Sequence, residues 1–376
     1  MLNYLYEIAT DKRKGLIPGI IKAFLFILSL IYGLMVRITI FLNRAFQYRL
    51  GCKVISVGNI TVGGTGKTTL VEFIARELKA QGRKVAVVSR GYKRVSKDRK
   101  MEVGVSEPES SSGCQQSGKL KGCQGVSELG DEAYMLSKKL GDIPVIVDAD
   151  RRRGINKAIT NFGAETVILD DAFQQWKIKK DLEIVTIDAT NPFGNKHMLP
   201  RGILREPLSS LKRADIFVLT KADFAADTAM LKGLLAKINP RAMIVESSHR
   251  ACGLYNIDNP KAGLDIEALK GKSVAIFCGI GDPGSFTNTI TGLGARIGAQ
   301  FRFPDHHNYS REELDKIIKS SKENNIDTII TTEKDAVRIS NIRLEAGSRN
   351  LLVLKIEIKL KDEQGFRNRL LKLYSL

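Results

Sequence analysis

The sequence is poor in the residues that build disulfide and metal frameworks. Its 376 residues contain five cysteines, Cys52, Cys114, Cys123, Cys252 and Cys278. The number is odd and no two form a C-x-x-C pair, which speaks against a disulfide scaffold and against a structural zinc site. Isolated cysteines fit a reducing compartment. The four histidines, His197, His249, His306 and His307, are too few and too scattered for an obvious metal cluster. No small-residue cleavage site follows the apolar N-terminal segment, so that segment does not read as a secretory signal. No stretch combines aromatic and basic residues in a nucleic-acid-binding pattern, so nucleic acid is not expected as a partner. No obligate protein partner is evident.

Positive charge, by contrast, is plentiful. Lys plus Arg total 59 against 41 acids, a formal net charge of +18. Such a surface is drawn to anionic lipid headgroups, nucleic acid or acidic substrates, and charge alone does not choose among them. Residues 16–42, LIPGIIKAFLFILSLIYGLMVRITIFL, carry an uncharged run from Ala23 to Val36 between Lys22 and Arg37. A spanning helix needs about 20 apolar residues. The expectation is therefore a helix lying in a membrane interface, with Arg37, Arg44, Arg49 and Lys53 as its basic flank. A buried core helix is the alternative. As an anchor, its removal is expected to weaken membrane attachment more than nucleotide binding.

The length allows two medium domains. From residue 53 to about 240, apolar β-branched runs alternate with helical patterns. KVISVG (53–58), RKVAVVSRG (83–91), DIPVIVD (142–148), ETVILDD (165–171), LEIVTID (182–188) and ADIFVLT (214–220) read as strands. They show little alternation, as strands covered on both faces do. The fold class expected is α/β, a P-loop NTPase-like core on a mostly parallel sheet, with a second, smaller α/β domain and an apolar membrane-associated helix. The expected division is 1–45 for the helix, 46–235 for the core with a polar insertion at 93–127, and 236–376 for the second domain. In the latter, Ser310 and Glu313 are spaced as a capping box for a helix over 311–325.

TVGGTGKTT (61–69) follows the first strand and opens a helix. Gly63, Gly64 and Gly66 let backbone N–H groups turn inward, and a helix N-terminus favours an anion. Lys67 can reach the β- and γ-phosphates, and the Thr68 hydroxyl suits Mg²⁺. Residues Thr61, Val62, Gly63, Gly64, Thr65, Gly66, Lys67, Thr68 and Thr69 are thus the expected nucleotide-binding loop. Thr61 stands where the usual pattern has glycine. Val62 stands where partition-type switch ATPases carry a second lysine, which argues against that class. VILDDAFQ (167–174) ends an apolar strand with Asp170 and Asp171. One carboxylate could hold Mg²⁺ through water, and its neighbour could bind it directly or orient the nucleophile.

A kinase also needs a base near an alcohol. GDEA (130–133) puts Asp131 and Glu132 at a predicted helix start, where Asp131 could take a hydroxyl proton. DHHNY (305–309) offers His306 as an orienting partner, if the two meet in space. Arg151, Arg201 and Arg205 offer forks suited to phosphate. TKAD (220–223) resembles a base-reading N-K-x-D element, with Thr for Asn.

Taken in order, VGNITVGGTGKTT, SRGYKR, ELGDEA, DADRRRG, VILDDAFQ, LPRGILREPLSSLKRAD, VLTKAD, FCGIGDPGSF, FPDHHNY and TTEKDAVR resemble the tetraacyldisaccharide 4′-kinase family, the lipid A kinases of Gram-negative bacteria. The resemblance implies an ATP- and Mg²⁺-dependent enzyme. It would phosphorylate the 4′-hydroxyl of an acylated disaccharide 1-phosphate at the cytoplasmic face of the inner membrane, against an anionic lipid surface. It assigns Lys67 and Thr68 to the ATP and Mg²⁺ site, Asp170 and Asp171 to the metal, Asp131 to the base and His306 to its partner. It sets Glu132, Arg151 and Arg205 near substrate or nucleotide. Alanine stands at 133 where the family commonly has proline, and 93–127 is longer and more polar than the family pattern. The runner-up reading is a membrane-associated switch ATPase or GTPase acting through partner proteins.

Overall fold

Strands that are apolar on both faces need cover on both faces, and the computed structural model provides it. The structure describes residues 7–8, 11, 13–91, 102–104, 129–340, 342 and 350–375. The insertion expected at 93–127 lies outside the described residues apart from 102–104, as do Cys114 and Cys123. The chain forms two units. Unit 1 holds Met1–Arg90, Asp148–Ser248 and Leu360–Leu376, and unit 2 holds Gly91–Val147 and His249–Lys359. Grouping thus follows contact rather than chain order, since residues 91–147 belong with 249–359.

Unit 1 opens with α1 (Leu16–Ala45), a single helix of 30 residues. Only Ser29, Gly33 and Val36 are buried in it. Leu16, Ile20, Ile31, Leu34 and Phe41 are each more than half exposed. A core helix would hide its apolar sides, and this one shows them. The helix is long and apolar enough to cross a membrane.

The sheet of unit 1 is parallel. Its strands are β1 (Lys53–Gly58), β2 (Val85–Ser89), β5 (Thr166–Asp170), β6 (Leu182–Asp188), β7 (Ile216–Thr220) and the part of β8 (Met243–Asn256) up to Ser248. They lie in the order β8-β7-β6-β1-β5-β2. Every residue of β2, β5 and β7 is buried. Each Val, Leu or Ile so buried contributes about 1.5–3 kcal/mol of transfer free energy, which is why these runs lack polar alternation. Helices α2 (Lys67–Ala80) and α4 (Arg151–Phe162) link the strands. The connection from β1 leads towards β2, whereas β6 lies on the other side of β1. The carboxyl end of β1 is therefore the point where strand order reverses, the place where open α/β sheets bind ligands.

Unit 2 has its own parallel sheet in the order β11 (Arg296–Arg302), β10 (Ser273–Cys278), β12 (Thr328–Thr332) and β13 (Leu351–Leu360, here to Lys359). Unit 2 also contains two antiparallel strand pairs. One joins β3 (Glu102–Gly104) to β4 (Val145–Val147), and the other joins the end of β8 to β9 (Asn259–Leu264). Helix α7 (Arg311–Glu323) starts at the expected capping box, with both reciprocal bonds of Ser310 and Glu313 present. The stretch TTEKDAVR divides between β12 and helix α8 (Glu333–Ile339), capped by Thr332. Helix α3 (Asp131–Leu140) packs on α8.

The end of β1 sets a demanding fit in unit 1. A Cβ added at Gly58 would lie 2.5 Å from the Phe173 amide nitrogen and 2.7 Å from its Cβ. Gly58→Ala is accordingly expected to destabilise the protein by about 3 kcal/mol, an overpacking cost. A urea titration against wild type checks this, and an unshifted midpoint would show that Phe173 has room to move.

Candidate active site

The glycine loop leaves the carboxyl end of β1 and feeds α2. Gly63 has φ 122° and Gly66 φ 69°, both in the region that favours glycine. Gly66 is the N-cap of α2 and no side chain caps that end, so the first-turn amides keep their capacity for an anion. The space above Gly63 and Gly64 is open, since a Cβ at either would meet no atom within 4 Å. Thr61 is buried, with its backbone bridged to Leu204, and Val62 is exposed. The hydroxyls of Thr65 and Thr186 lie 2.7 Å apart. Thr69 donates to the Gly66 carbonyl at 2.9 Å. The Thr68 hydroxyl makes no hydrogen bond among the described residues, and it sits half-buried at the start of α2.

Asp170 and Asp171 end β5 beside this loop. Asp170 is buried, with Ser89 Oγ 3.5 Å from its Oδ2. Asp171 has φ 47°, a left-handed conformation that a non-glycine residue rarely adopts. That twist brings its carboxylate to two cations. Lys67 Nζ lies 3.5 Å away, and Arg205 Nη1 donates to both carboxylate oxygens at 3.1 Å. Burial pushes the Asp171 carboxyl up, but the charges of Lys67 and Arg205 outweigh it and the net shift is down. Arg205 also donates to Gln174, and Gln174 donates in turn to Glu206. Glu206 is fully buried and is neutralised by Arg213 at 2.9 Å, with Trp176 Nε1 donating at 3.0 Å. Arg151 does not join this group. It is 2% exposed, and its guanidinium donates to the main-chain carbonyls of Asp148 and Asp170. Burial lowers its pKa to about 10.

Among the described residues no group of three or more His, Cys, Asp and Glu could hold a metal. Mg²⁺ does not require one, because it is commonly held by one or two carboxylates together with substrate phosphates. A hydroxyl at the loop and two neighbouring carboxylates are a donor set of that kind. At the end of β7, the T-K-x-D element places Lys221 against Asp188 at 2.7 Å.

Unit 2 carries the other expected pair. Asp131 opens α3, and His306 sits in the loop after β11 with φ 61°. Although 175 positions apart in sequence, Asp131 Oδ2 and His306 Nδ1 lie 3.2 Å apart. His307 is occupied elsewhere, 2.9 Å from Glu313 and stacked on Phe303. Glu132 pairs with Lys334 at 2.6 Å.

A third member of this cluster, Arg338 on α8, escaped the reading of the residues. Its Nε donates to Asp131 Oδ2 at 2.8 Å, and its Nη2 lies 3.2 Å from His306 Nδ1. It is held from behind by Asp335 at 3.0 Å and by the Gly279 carbonyl at 2.8 Å. Asp335 is fully buried and also accepts from Tyr309 and Thr332. The i, i+3 spacing of Asp335 and Arg338 within TTEKDAVR was the only local signal. Burial pushes the Asp131 carboxyl up, while hydrogen bonds from His306 and Arg338 and the Arg338 charge pull it down, to about 2. Among the described residues nothing donates to Oδ1, which leaves that oxygen able to accept a proton or a hydrogen bond.

A glycine loop at the end of a parallel strand, an uncapped helix start, a lysine and paired carboxylates define a P-loop nucleotide-binding protein of the α/β class. The comparisons with known proteins narrow this. The profile of the tetraacyldisaccharide-1-P 4′-kinase family matches residues 21–375. The tetraacyldisaccharide 4′-kinase of Halothermothrix orenii is 37% identical over 96% of this chain and 94% of its own length. That of Desulfatibacillum aliphaticivorans is 34% identical over 95% and 93%. Among solved structures, LpxK from Aquifex aeolicus in complex with ATP is 28% identical with a TM-score of 0.71, over 94% of this chain and 99% of that one. The chain belongs to the tetraacyldisaccharide-1-P 4′-kinase family.

Two measurements check the unit 2 cluster. Arg338→Met would leave Asp335 charged and buried without its cation, so a loss of about 3–5 kcal/mol is expected in denaturant unfolding. The second concerns pH. Asp131 has its pKa lowered from 3.8 to about 2 on folding. A carboxylate lowered in this way stabilises the fold fully above its unfolded value and loses that contribution as pH falls through its folded value. The stability margin of wild type over Asp131→Asn is expected to be flat above pH 3.8 and to fade towards pH 2. A margin that does not change across that window would show that Asp131 is not held as described.

Proposed function

We propose that this chain transfers the γ-phosphoryl group of ATP to the 4′-hydroxyl of a tetraacyl-disaccharide 1-phosphate, at the cytoplasmic face of a bacterial inner membrane. The Asp131–His306 pair carries the reading, because a base for an alcohol is what separates a kinase from a nucleotide switch. ATP as donor is supported by the Aquifex aeolicus relative, described in complex with ATP. The uncapped start of α2 and Lys67 suit its phosphates. Thr68, Asp170 and Asp171 are the residues that would hold Mg²⁺, which when bound neutralises charge on the phosphate oxygens. Lys67 lies against Asp171, the carboxylate that Arg205 also binds.

In the transfer, the acceptor oxygen bonds to the γ-phosphorus, the bond from that phosphorus to the ADP oxygen breaks, and the hydroxyl proton passes to Asp131. A carboxylate with a pKa near 2 is a weak base. That suffices for a loose transition state, in which the attacking oxygen loses its proton late. His306 and Arg338 hold the carboxylate in one orientation and stabilise its charge. Glu132, the neighbour of the base in sequence and paired with Lys334, is the residue we assign to the sugar. Arg205 serves the phosphates. Arg151 braces the Asp170 carbonyl from within rather than meeting the acceptor. The exposed apolar side of α1 and the +18 charge suit an acylated, anionic substrate that stays in the bilayer.

The deciding experiment incubates the protein with radiolabelled ATP and purified disaccharide 1-phosphate and looks for a doubly phosphorylated lipid. Steady ATP hydrolysis without lipid, and no labelled lipid with it, would favour the switch ATPase. Lys67→Ala is expected to lower turnover by about 100-fold or more. Asp131→Asn is expected to lower it by about 100- to 10,000-fold while leaving nucleotide affinity unchanged. Near-normal transfer by Asp131→Asn would remove it from the role of base.

A further inference from the structure

Helix α1 has two sides, and only one is explained by a membrane. Its inner stripe, with Ser29, Gly33 and Val36 buried, recurs every three to four residues. That stripe rests on the segment 197–205. The Phe26 ring meets the His197 ring edge to face at 5.5 Å. Gly33 lets Met198 approach, for a Cβ there would lie 3.2 Å from the Met198 sulfur. The Tyr32 hydroxyl donates to the main-chain carbonyl of Arg205 at 3.1 Å.

The same segment is tied to the glycine loop on its other side. The Arg205 amide donates to the Ile60 carbonyl at 2.8 Å, and the Val62 amide donates to Ile203 at 2.8 Å. Thr61 and Leu204 form an antiparallel bridge between these bonds. Within the segment, Leu199 donates to Leu204 at 2.9 Å and Gly202 to Met198 at 3.0 Å. It is thus a closed loop, and a displacement where α1 touches it at 198 is passed to 203–205. Arg205 is consequently held at both main-chain groups, its carbonyl by α1 and its amide by the entry to the glycine loop. Its side chain ends on Asp171 beside Lys67.

We propose that α1 is a working part of the nucleotide site, in which Tyr32 is a positioning residue that fixes Arg205 and, through the 203–205 pairing, the glycine loop. This rests on the reading of residues 61–69 as the ATP site. An anchor alone would leave nucleotide binding to the rest of the chain. These contacts instead couple the docking of α1 to nucleotide affinity.

The test uses the full chain in detergent micelles and a fluorescent ATP analogue. Tyr32→Phe removes one oxygen, and the dissociation constant is expected to rise about fivefold, the worth of one hydrogen bond. The KM for ATP should rise by a similar factor while kcat at saturating ATP stays within about twofold, because Tyr32 touches no reacting group. Gly33→Leu crowds Met198 and is expected to weaken binding about tenfold. Adding Met198→Ala should restore most of that loss, and failure to restore it counts against docking as the cause. Leu34→Ala, on the outer face, should weaken attachment to anionic phospholipid vesicles and leave nucleotide affinity unchanged. If Tyr32→Phe and Gly33→Leu, folded as wild type is, bind the analogue as tightly as wild type, the proposal fails. Should Gly33→Leu not fold, Tyr32→Phe decides. A wild-type chain that binds no nucleotide would instead overturn the assignment of the loop itself.

Discussion

Two cations and one acid, Lys67, Arg205 and Asp171, set the terms for unit 1. Like charges held within a few ångströms repel, and a single carboxylate between them lowers that cost without cancelling it. The cluster keeps a net positive charge next to the uncapped start of α2, whose dipole has the same sign at that end. An anionic group is favoured there over any neutral one. Each member arrives by a different route: Lys67 at the start of α2, Asp171 through a left-handed turn after β5, and Arg205 on the segment that pairs with the loop. A further layer keeps them there. Fully buried Glu206 is neutralised by Arg213 and orients Gln174, which orients Arg205.

Unit 2 solves a different electrostatic problem. The proposed role of Asp131 requires it to stay ionised and to keep one oxygen able to accept a proton. Arg338 achieves both by binding only Oδ2, and the buried Asp335 fixes Arg338 so that it cannot turn elsewhere. Neither charge of the Arg338–Asp335 pair is well solvated, so each depends on the other. The result is a carboxylate selected for orientation and charge rather than for basicity. This suits a reaction whose transition state is stabilised mainly by position and electrostatics.

Much of this was legible in the chain. Strands buried on both faces write themselves as unbroken apolar runs, and the glycine spacing at 63, 64 and 66 has few other uses. Ser310 and Glu313 announced their helix. What was not legible has physical causes. The pairing of Asp131 with His306 is a long-range contact that no local spacing encodes. Arg338 lies on a short helix where an arginine normally faces water, and only its neighbours in space reveal its 2% exposure. Arg151 looked like a phosphate fork beside Arg152 and Arg153, yet it turns inward to main-chain carbonyls. Strand β9 contains Pro and Gly and is exposed along its length, so it carries no apolar pattern to read. Tyr32 was invisible as a contact, being one polar atom in a helix otherwise read for its hydropathy.

The chain contains one tryptophan, Trp176. Its indole N–H is fixed to Glu206, its carbonyl accepts from Gln47 just beyond α1, and Glu206 also binds the Gln174 that steadies Arg205. The natural indole emission of this protein therefore comes from a single residue, joined through its main chain to the end of the apolar helix and through its ring to the network that holds Arg205. Its colour and intensity are a built-in optical readout of that junction, free of any background from other indoles and requiring no label.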